Sequence, residues 1–159
     1  MPEAFVQGID DQARHKVIDL LNARLADVSA LALAVKQAHW NLKGPGFIGV
    51  HELLDDVADN LREAQDTIAE RCTILGGQAK GTVEVVAAES NIEPYPTDME
   101  QIEDHIKALK DRFLKCGEMI RKAAETADEA GDPDSEDLFV EISRTMDKDC
   151  WFIGANGKQ

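Results

Sequence analysis

Three breaks marked by glycine and proline divide the chain into apolar runs that repeat at three and four residues, and this pattern constrains the fold more than any other feature. After Asp10 and Asp11, candidate N-caps, the positions Val17, Leu21, Leu25, Val28, Leu31 and Val35 keep a helical period up to Gly44-Pro45-Gly46. From Phe47 onward Val50, Leu54, Val57, Leu61, Ala64, Ile68 and Leu75 continue it until Gly76-Gly77. Thr97 and Glu100 form a candidate capping box ahead of Met99, Ile102, Ile106, Leu109, Phe113, Cys116 and Ile120. Gly131 followed by Asp132-Pro133 predicts a stop, an N-cap and a first-turn proline, after which Leu138, Ile142, Met146, Cys150 and Ile153 run to near Gly154. The stretch from Thr82 to Ala88 predicts a short helix inside a connection too long for a tight turn, which should cross the bundle. The expectation is an all-α four-helix bundle, with a short extra helix between the second and third long helices, forming one domain over residues 1–159.

A mass of 17.5 kDa is enough for one buried core. No run of about 18 apolar residues occurs, and MPEAFVQGIDDQ lacks the basic-then-apolar layout of a secretory signal, so a cytoplasmic protein is expected. Cys72, Cys116 and Cys150 are odd in number and scattered without a C-x-x-C pair; they read as small buried hydrophobes rather than a disulfide or zinc framework. Seventeen basic residues against thirty-one acidic ones give a formal net charge of -14. Such a chain repels polyphosphates and attracts cations, so metal ions are better partners than nucleic acid.

The second long helix carries the chemistry. At about 100° per residue, Asp55 lies about 40°, Asp66 about 60° and Glu70 about 100° around the axis from His51, all on one stripe. His51 with Asp55 and Asp66 with Glu70 each have the i, i+4 spacing that lets two side chains reach one ion. Eleven residue steps, about 16 Å, separate Asp55 from Asp66, whereas a metal–ligand bond spans only about 2 Å. One chain cannot close the site through this helix alone. Two copies packed antiparallel about a two-fold axis near Asn60 and Leu61 would bring Asp55 of one level with Asp66 of the other, giving two identical sites per dimer. His39, just before the Gly-Pro-Gly turn, can fold over the same end and add a ligand. Acidic residues also commonly just solvate a helix face, and Glu52 and Asp59 fall on or near this stripe. His15 and His105 have no acidic partners at matched spacing and read as surface residues.

HWNLKGPGFIGVHELLDD followed by DTIAERCTILGG resembles the Dps family, the mini-ferritins named as DNA-binding proteins from starved cells. The match combines the first His-Trp, a second His twelve residues on, an Asp four beyond that, and the D-T-I-A-E-R segment at the proper distance. Weaker similarity in YPTD at Tyr95 to Asp98 and in D-K-x-x-W-F at Asp147 to Phe152 extends it over nearly the whole chain. The resemblance implies a ferritin-like fold and a hollow homododecamer with iron-oxidising sites between two-fold-related subunits. His39, His51 and Asp55 would serve one side of each site, Asp66 and Glu70 the other, so no family ligand is missing. Trp40 matches the tryptophan kept beside the site, where it orders water or intercepts radicals; ordinary packing explains it equally well.

The resemblance further implies that Fe(II) is oxidised by hydrogen peroxide, or more slowly by dioxygen, and stored as ferric oxyhydroxide, which protects against oxidative damage. A mixed nitrogen and oxygen set suits this ion, although zinc, cobalt or manganese could compete. Family pores on three-fold axes are lined by acids from the loop before the last helix, which makes Asp128, Asp132 and Asp137 candidates. Their alternative role is capping and solvation. A classical ferritin would need E-x-x-H on a helix, and no histidine here has Glu three residues before it. A nucleoid DNA binder would use a basic tail. The first sixteen residues offer only Arg14 and Lys16 against Glu3, Asp10 and Asp11, and the other end only Lys158, so direct DNA binding is disfavoured unless Mg(II) bridges or a local basic patch forms. A helical interaction module without metal chemistry would show no accelerated Fe(II) oxidation.

Overall fold

The computed structural model describes residues 2–158, and among them the apolar runs become five helices. They are α1 (Asp11–Asn41), α2 (Phe47–Ile74), α3 (Val83–Glu89), α4 (Ile102–Ala130) and α5 (Pro133–Gly154). The chain is an all-α four-helix bundle with one short additional helix, as its periodicity predicts. Asp10 caps α1 by accepting the Ala13 N–H at 2.8 Å. Gly46, at φ +80°, opens α2 in a left-handed conformation that a side chain would strain. Gly131, at φ +93°, closes α4, and Asp132 with Pro133 starts α5.

Short turns make α1–α2 and α4–α5 antiparallel hairpins, and these two pairs share the most extensive packing. The end of α2 lies far from the start of α4, so residues 75–101 must run the length of the bundle. α3 packs on α1 along the way. Side chains from the bundle pin this crossover: Asn22 accepts the Lys80 N–H at 2.9 Å and donates to the Gln78 carbonyl at 3.0 Å. Fully buried Asp27 accepts the Asn91 N–H at 2.6 Å and lies 3.0 Å from Arg24 Nε.

The predicted apolar positions of α1 and α2 are all buried, as are those of α4 from Ile102 onward. On α5 Ile142, Met146 and Ile153 are buried as predicted, but at the start of the helix Phe139 is fully buried and Leu138 only half-buried. Cys72 and Cys116 are free and buried, Cys150 free and half-buried. Two expectations fail. The Thr97–Glu100 capping box does not form, because that segment pairs with the α1–α2 turn instead. The Lys43 N–H donates to the Glu100 carbonyl at 2.7 Å and the Ile102 N–H to the Lys43 carbonyl at 3.1 Å, so α4 begins only at Ile102. His105 is not a surface residue: it is 1 % exposed. Its partners are neutral, the Tyr95 hydroxyl and the Met99 carbonyl, which a search for acidic neighbours overlooks. Its place among Ile102, Ile106 and Leu109 on the apolar stripe was the legible signal. His15 is exposed, as expected.

One buried carboxylate carries a pH dependence. Burial pushes Asp149 on α5 up to about 6, although the Asn60 amide donates to both of its oxygens, at 3.1 and 3.2 Å, and pulls the other way. The folded chain then holds this proton more tightly than the unfolded one. The carboxylate therefore subtracts stability progressively as pH rises from about 4 through about 6. Asp149→Asn is expected to raise unfolding free energy near neutral pH by about 1–2 kcal/mol, with little effect below pH about 4, in urea denaturation at fixed protein concentration.

Candidate metal centre

His39 sits in the last turn of α1 and His51 in the second turn of α2, and the Gly44-Pro45-Gly46 turn lays the two imidazoles face to face. Their centroids are 3.7 Å apart with planes inclined by 11°. Each ring bonds the other residue's backbone: His39 Nδ1 to the His51 carbonyl and His51 Nδ1 to the His39 carbonyl, both at 2.7 Å. A carbonyl only accepts, so both Nδ1 atoms carry hydrogen, and Nε2 is the ring atom each imidazole has left to offer an ion. Such a backbone bond on the remote nitrogen is how proteins orient metal-binding imidazoles. Phe47 stacks on His51 at 5.0 Å and holds the pair from outside.

Asp55, one turn beyond His51, places Oδ1 3.3 Å from His39 Nε2. Two acceptors this close need a proton or a cation between them. Lys36 supplies positive charge, its Nζ 2.5 Å from the same Oδ1, and this bond is the main reason the Asp55 carboxyl lies below the usual carboxylate range. Lys36 is the residue that sequence reasoning missed; it lies three residues before His39 on the same face of α1.

Asp66 and Glu70 form the second group. Both are exposed, one turn apart, and Glu70 is pushed above its ordinary value by a hydrogen bond to Asp66 and by that neighbour's charge. A divalent ion set between the two carboxylates would relieve that repulsion. The two groups lie on one face of α2 but do not meet: among the described residues, no three His, Cys, Asp or Glu side chains are placed to hold one metal ion. Asn60 and Leu61, at the level midway between the groups, turn into the bundle, while Asp59 and Arg62 are exposed at that level.

Between the two groups runs a hollow lined by Leu33, Trp40, Ala58, Arg62, Gln65 and Val83. Leu33, Trp40 and Val83 are 61, 68 and 66 % exposed, an apolar content unusual for a free helix face. Trp40 thus points outward rather than onto the imidazoles.

Of the acidic loop residues, Asp128 and Asp137 are exposed and flank Glu136, whose carboxyl is raised by burial and by Asp128. Asp132 is fully buried: Oδ1 lies 2.8 Å from Arg71 Nη2 and accepts the Ser135 N–H at 3.1 Å, so this acid is engaged in holding α2 to α5. Glu136, absent from the sequence reading, joins the exposed pair.

A family model described as "Ferritin-like domain" matches residues 18–157. The "DNA protection during starvation protein" of Agrobacterium fabrum is 49% identical over 148 residues, covering 93% of this chain and 91% of that one. A protein of the same description from Mycolicibacterium smegmatis is 32% identical over 156 residues, covering 98% and 85%. The solved structure of DpsA14 from Streptomyces coelicolor superposes with a TM-score of 0.92 at 36% identity, covering 97% of this chain and 91% of that one.

Proposed function

Because the chain belongs to the Dps family of ferritin-like proteins, we propose that it is a ferroxidase and iron-storage protein that oxidises Fe(II) with hydrogen peroxide, or more slowly with dioxygen. Each site draws His39, His51 and Asp55 from one subunit and Asp66 and Glu70 from its two-fold partner. The observation that carries this reading is the paired imidazole geometry: backbone bonds at Nδ1 orient both rings and leave both Nε2 atoms available, His39's beside the Asp55 carboxylate, while the remaining acids lie out of reach on the same helix. The apolar hollow between the two groups supports a second copy as its cover, and exposed Asp59 and Arg62 at the axis level offer opposite charges to that copy.

The chain's own groups do three things. Imidazoles and carboxylates hold two Fe(II) ions as the substrate; Lys36 moves off Asp55 as the ion arrives; and Asp66 with Glu70 supplies the negative charge that the partner's imidazoles lack. Peroxide takes one electron from each of two Fe(II) ions and, with two protons, becomes two waters, so no hydroxyl radical is set free. Ferric oxyhydroxide accumulates in the cavity of a dodecamer built from such dimers. Asp128 and Asp137, with Glu136, draw cations to three-fold entrances by their negative potential, while Asp132 keeps its structural pairing.

The relatives' name concerns DNA protection, and removal of Fe(II) and peroxide together is itself protective. Direct DNA binding finds little support here: Arg14 is bonded to Asp11 and to the Leu75 carbonyl, and Lys158 pairs with Glu103 at 2.8 Å. A cytoplasmic location agrees with this chemistry, and among the described residues no helix is long and apolar enough to cross a membrane. Anaerobic Fe(II) loading followed by peroxide tests the reading. About two Fe(II) should be consumed per peroxide with no hydroxyl-radical spin adduct; one Fe(II) per peroxide with a strong adduct would overturn it.

A further inference from the structure

Tyr95, the chain's one tyrosine, and His105 form a unit that the iron site does not use. The Tyr95 hydroxyl lies 2.7 Å from His105 Nδ1, and His105 Nε2 lies 2.9 Å from the Met99 carbonyl. Since the carbonyl only accepts, Nε2 carries the hydrogen and Nδ1 turns its lone pair to the phenol. The guanidinium of Arg112 stands 5.0 Å from the centre of the Tyr95 ring, fixed there by the Glu93, Pro94 and Ala108 carbonyls.

We propose that Tyr95 and His105 are a one-electron redox site, in which Tyr95 yields an electron to a strong oxidant of the hydroxyl-radical class while its phenolic proton passes to His105 Nδ1. Three features favour this over a mere clip for the crossover. The Arg112 charge over the ring opposes a second positive charge on it, so the electron leaves only if the proton leaves. Burial pushes the phenol far above its ordinary value, so no phenolate is present beforehand and the base must already be in place. His105 is 1 % exposed, so the proton stays within reach for its return.

The step balances. A hydroxyl radical accepts the electron and becomes hydroxide; Tyr95 becomes a neutral phenoxyl and His105 an imidazolium. Fe(II) then returns an electron and His105 the proton, so one hydroxyl radical, one Fe(II) and one solvent proton become water and Fe(III). The source of this oxidant, peroxide meeting an unpaired Fe(II), rests on the iron-oxidation reading; the competence of the pair does not. The segment carrying Met99 is also stitched to the turn between His39 and His51 through the Lys43–Glu100 and Ile102–Lys43 backbone bonds.

The test uses full-length, iron-free protein oxidised by azide radicals, with the phenoxyl followed by absorbance and electron paramagnetic resonance. Wild type should give a tyrosyl signal that Tyr95→Phe abolishes. His105→Gln can offer an acceptor to Tyr95 and a donor to Met99 but cannot take the proton; it should melt like wild type yet form the radical at least about tenfold more slowly. Should that variant fold poorly, wild type in deuterated water serves instead, with an expected slowing of roughly twofold or more. No tyrosyl signal in wild type, an unchanged rate in a well-folded His105→Gln, or no isotope effect would overturn the proposal. Because no iron is added, failure of the iron-oxidation reading leaves this outcome untouched.

Discussion

The double variant Asp66→Ala, Glu70→Ala should oxidise Fe(II) with peroxide at least about a hundredfold more slowly than wild type while melting within about 2 °C of it. The two halves of this expectation have separate causes. Loss of a group that merely orients a metal ligand already lowers affinity or activity by about 10–100-fold, and on the proposed assignment two ligands disappear from each site. The fold, by contrast, gains nothing from these acids. Both are exposed, and the raised Glu70 carboxyl reports repulsion that the substitution relieves. Stopped-flow absorbance of the ferric product, beside a thermal melt at equal protein concentration, checks both halves. Equal oxidation rates in the two proteins would remove Asp66 and Glu70 from the chemistry.

The largest loss of stability is expected from Asp132→Ala. Arg71 is tied to this carboxylate at 2.8 Å and donates through Nε to Ser135 Oγ at 3.0 Å, while Ser135 Oγ donates back to Asp132 at 2.5 Å. With the Asp132 side chain fully buried and that of Arg71 only 12% exposed, removing the acid leaves a guanidinium without its counter-charge where α2 meets α5. Breaking such a pair costs about 3–5 kcal/mol, enough to lower Tm by about 10 °C in a chain of this size. Asp132→Asn should fall between wild type and Asp132→Ala, since an amide still caps α5 but cannot balance Arg71. A melt for Asp132→Ala within about 2 °C of wild type would contradict the structural role given to this residue.

Periodicity and punctuation made the bundle legible because they are local: Gly46 and Gly131 stop or start helices through their own backbone angles, and Asp10 caps through a neighbour three residues away. The capping box at Thr97 misled for the opposite reason. Its competitor, the Lys43 backbone, is far off in sequence and comes near only after the crossover is in place. His105 and Asp132 follow the same logic, their environments being set by a loop carbonyl and phenol in one case and by Arg71 in the other. Within the candidate site, the i, i+4 spacing on α2 was enough to pick out both groups of proposed ligands. What spacing could not reveal was the reciprocal bonding of each imidazole to the other residue's carbonyl, or Lys36 on Asp55, since both depend on how α1 folds against α2.

Shared coordination is tested most directly by mixing two inactive subunits. One carries His39→Ala with His51→Ala, the other Asp66→Ala with Glu70→Ala, and the two are co-refolded at equal amounts. Alone, each should be inactive. In a mixed dimer one site loses both half-sets while the other is complete, so random assortment should restore about a quarter of the wild-type peroxide-dependent Fe(II) oxidation. Recovery to that level is the expected result; a mixture as inactive as its parents would mean that each subunit builds its site alone.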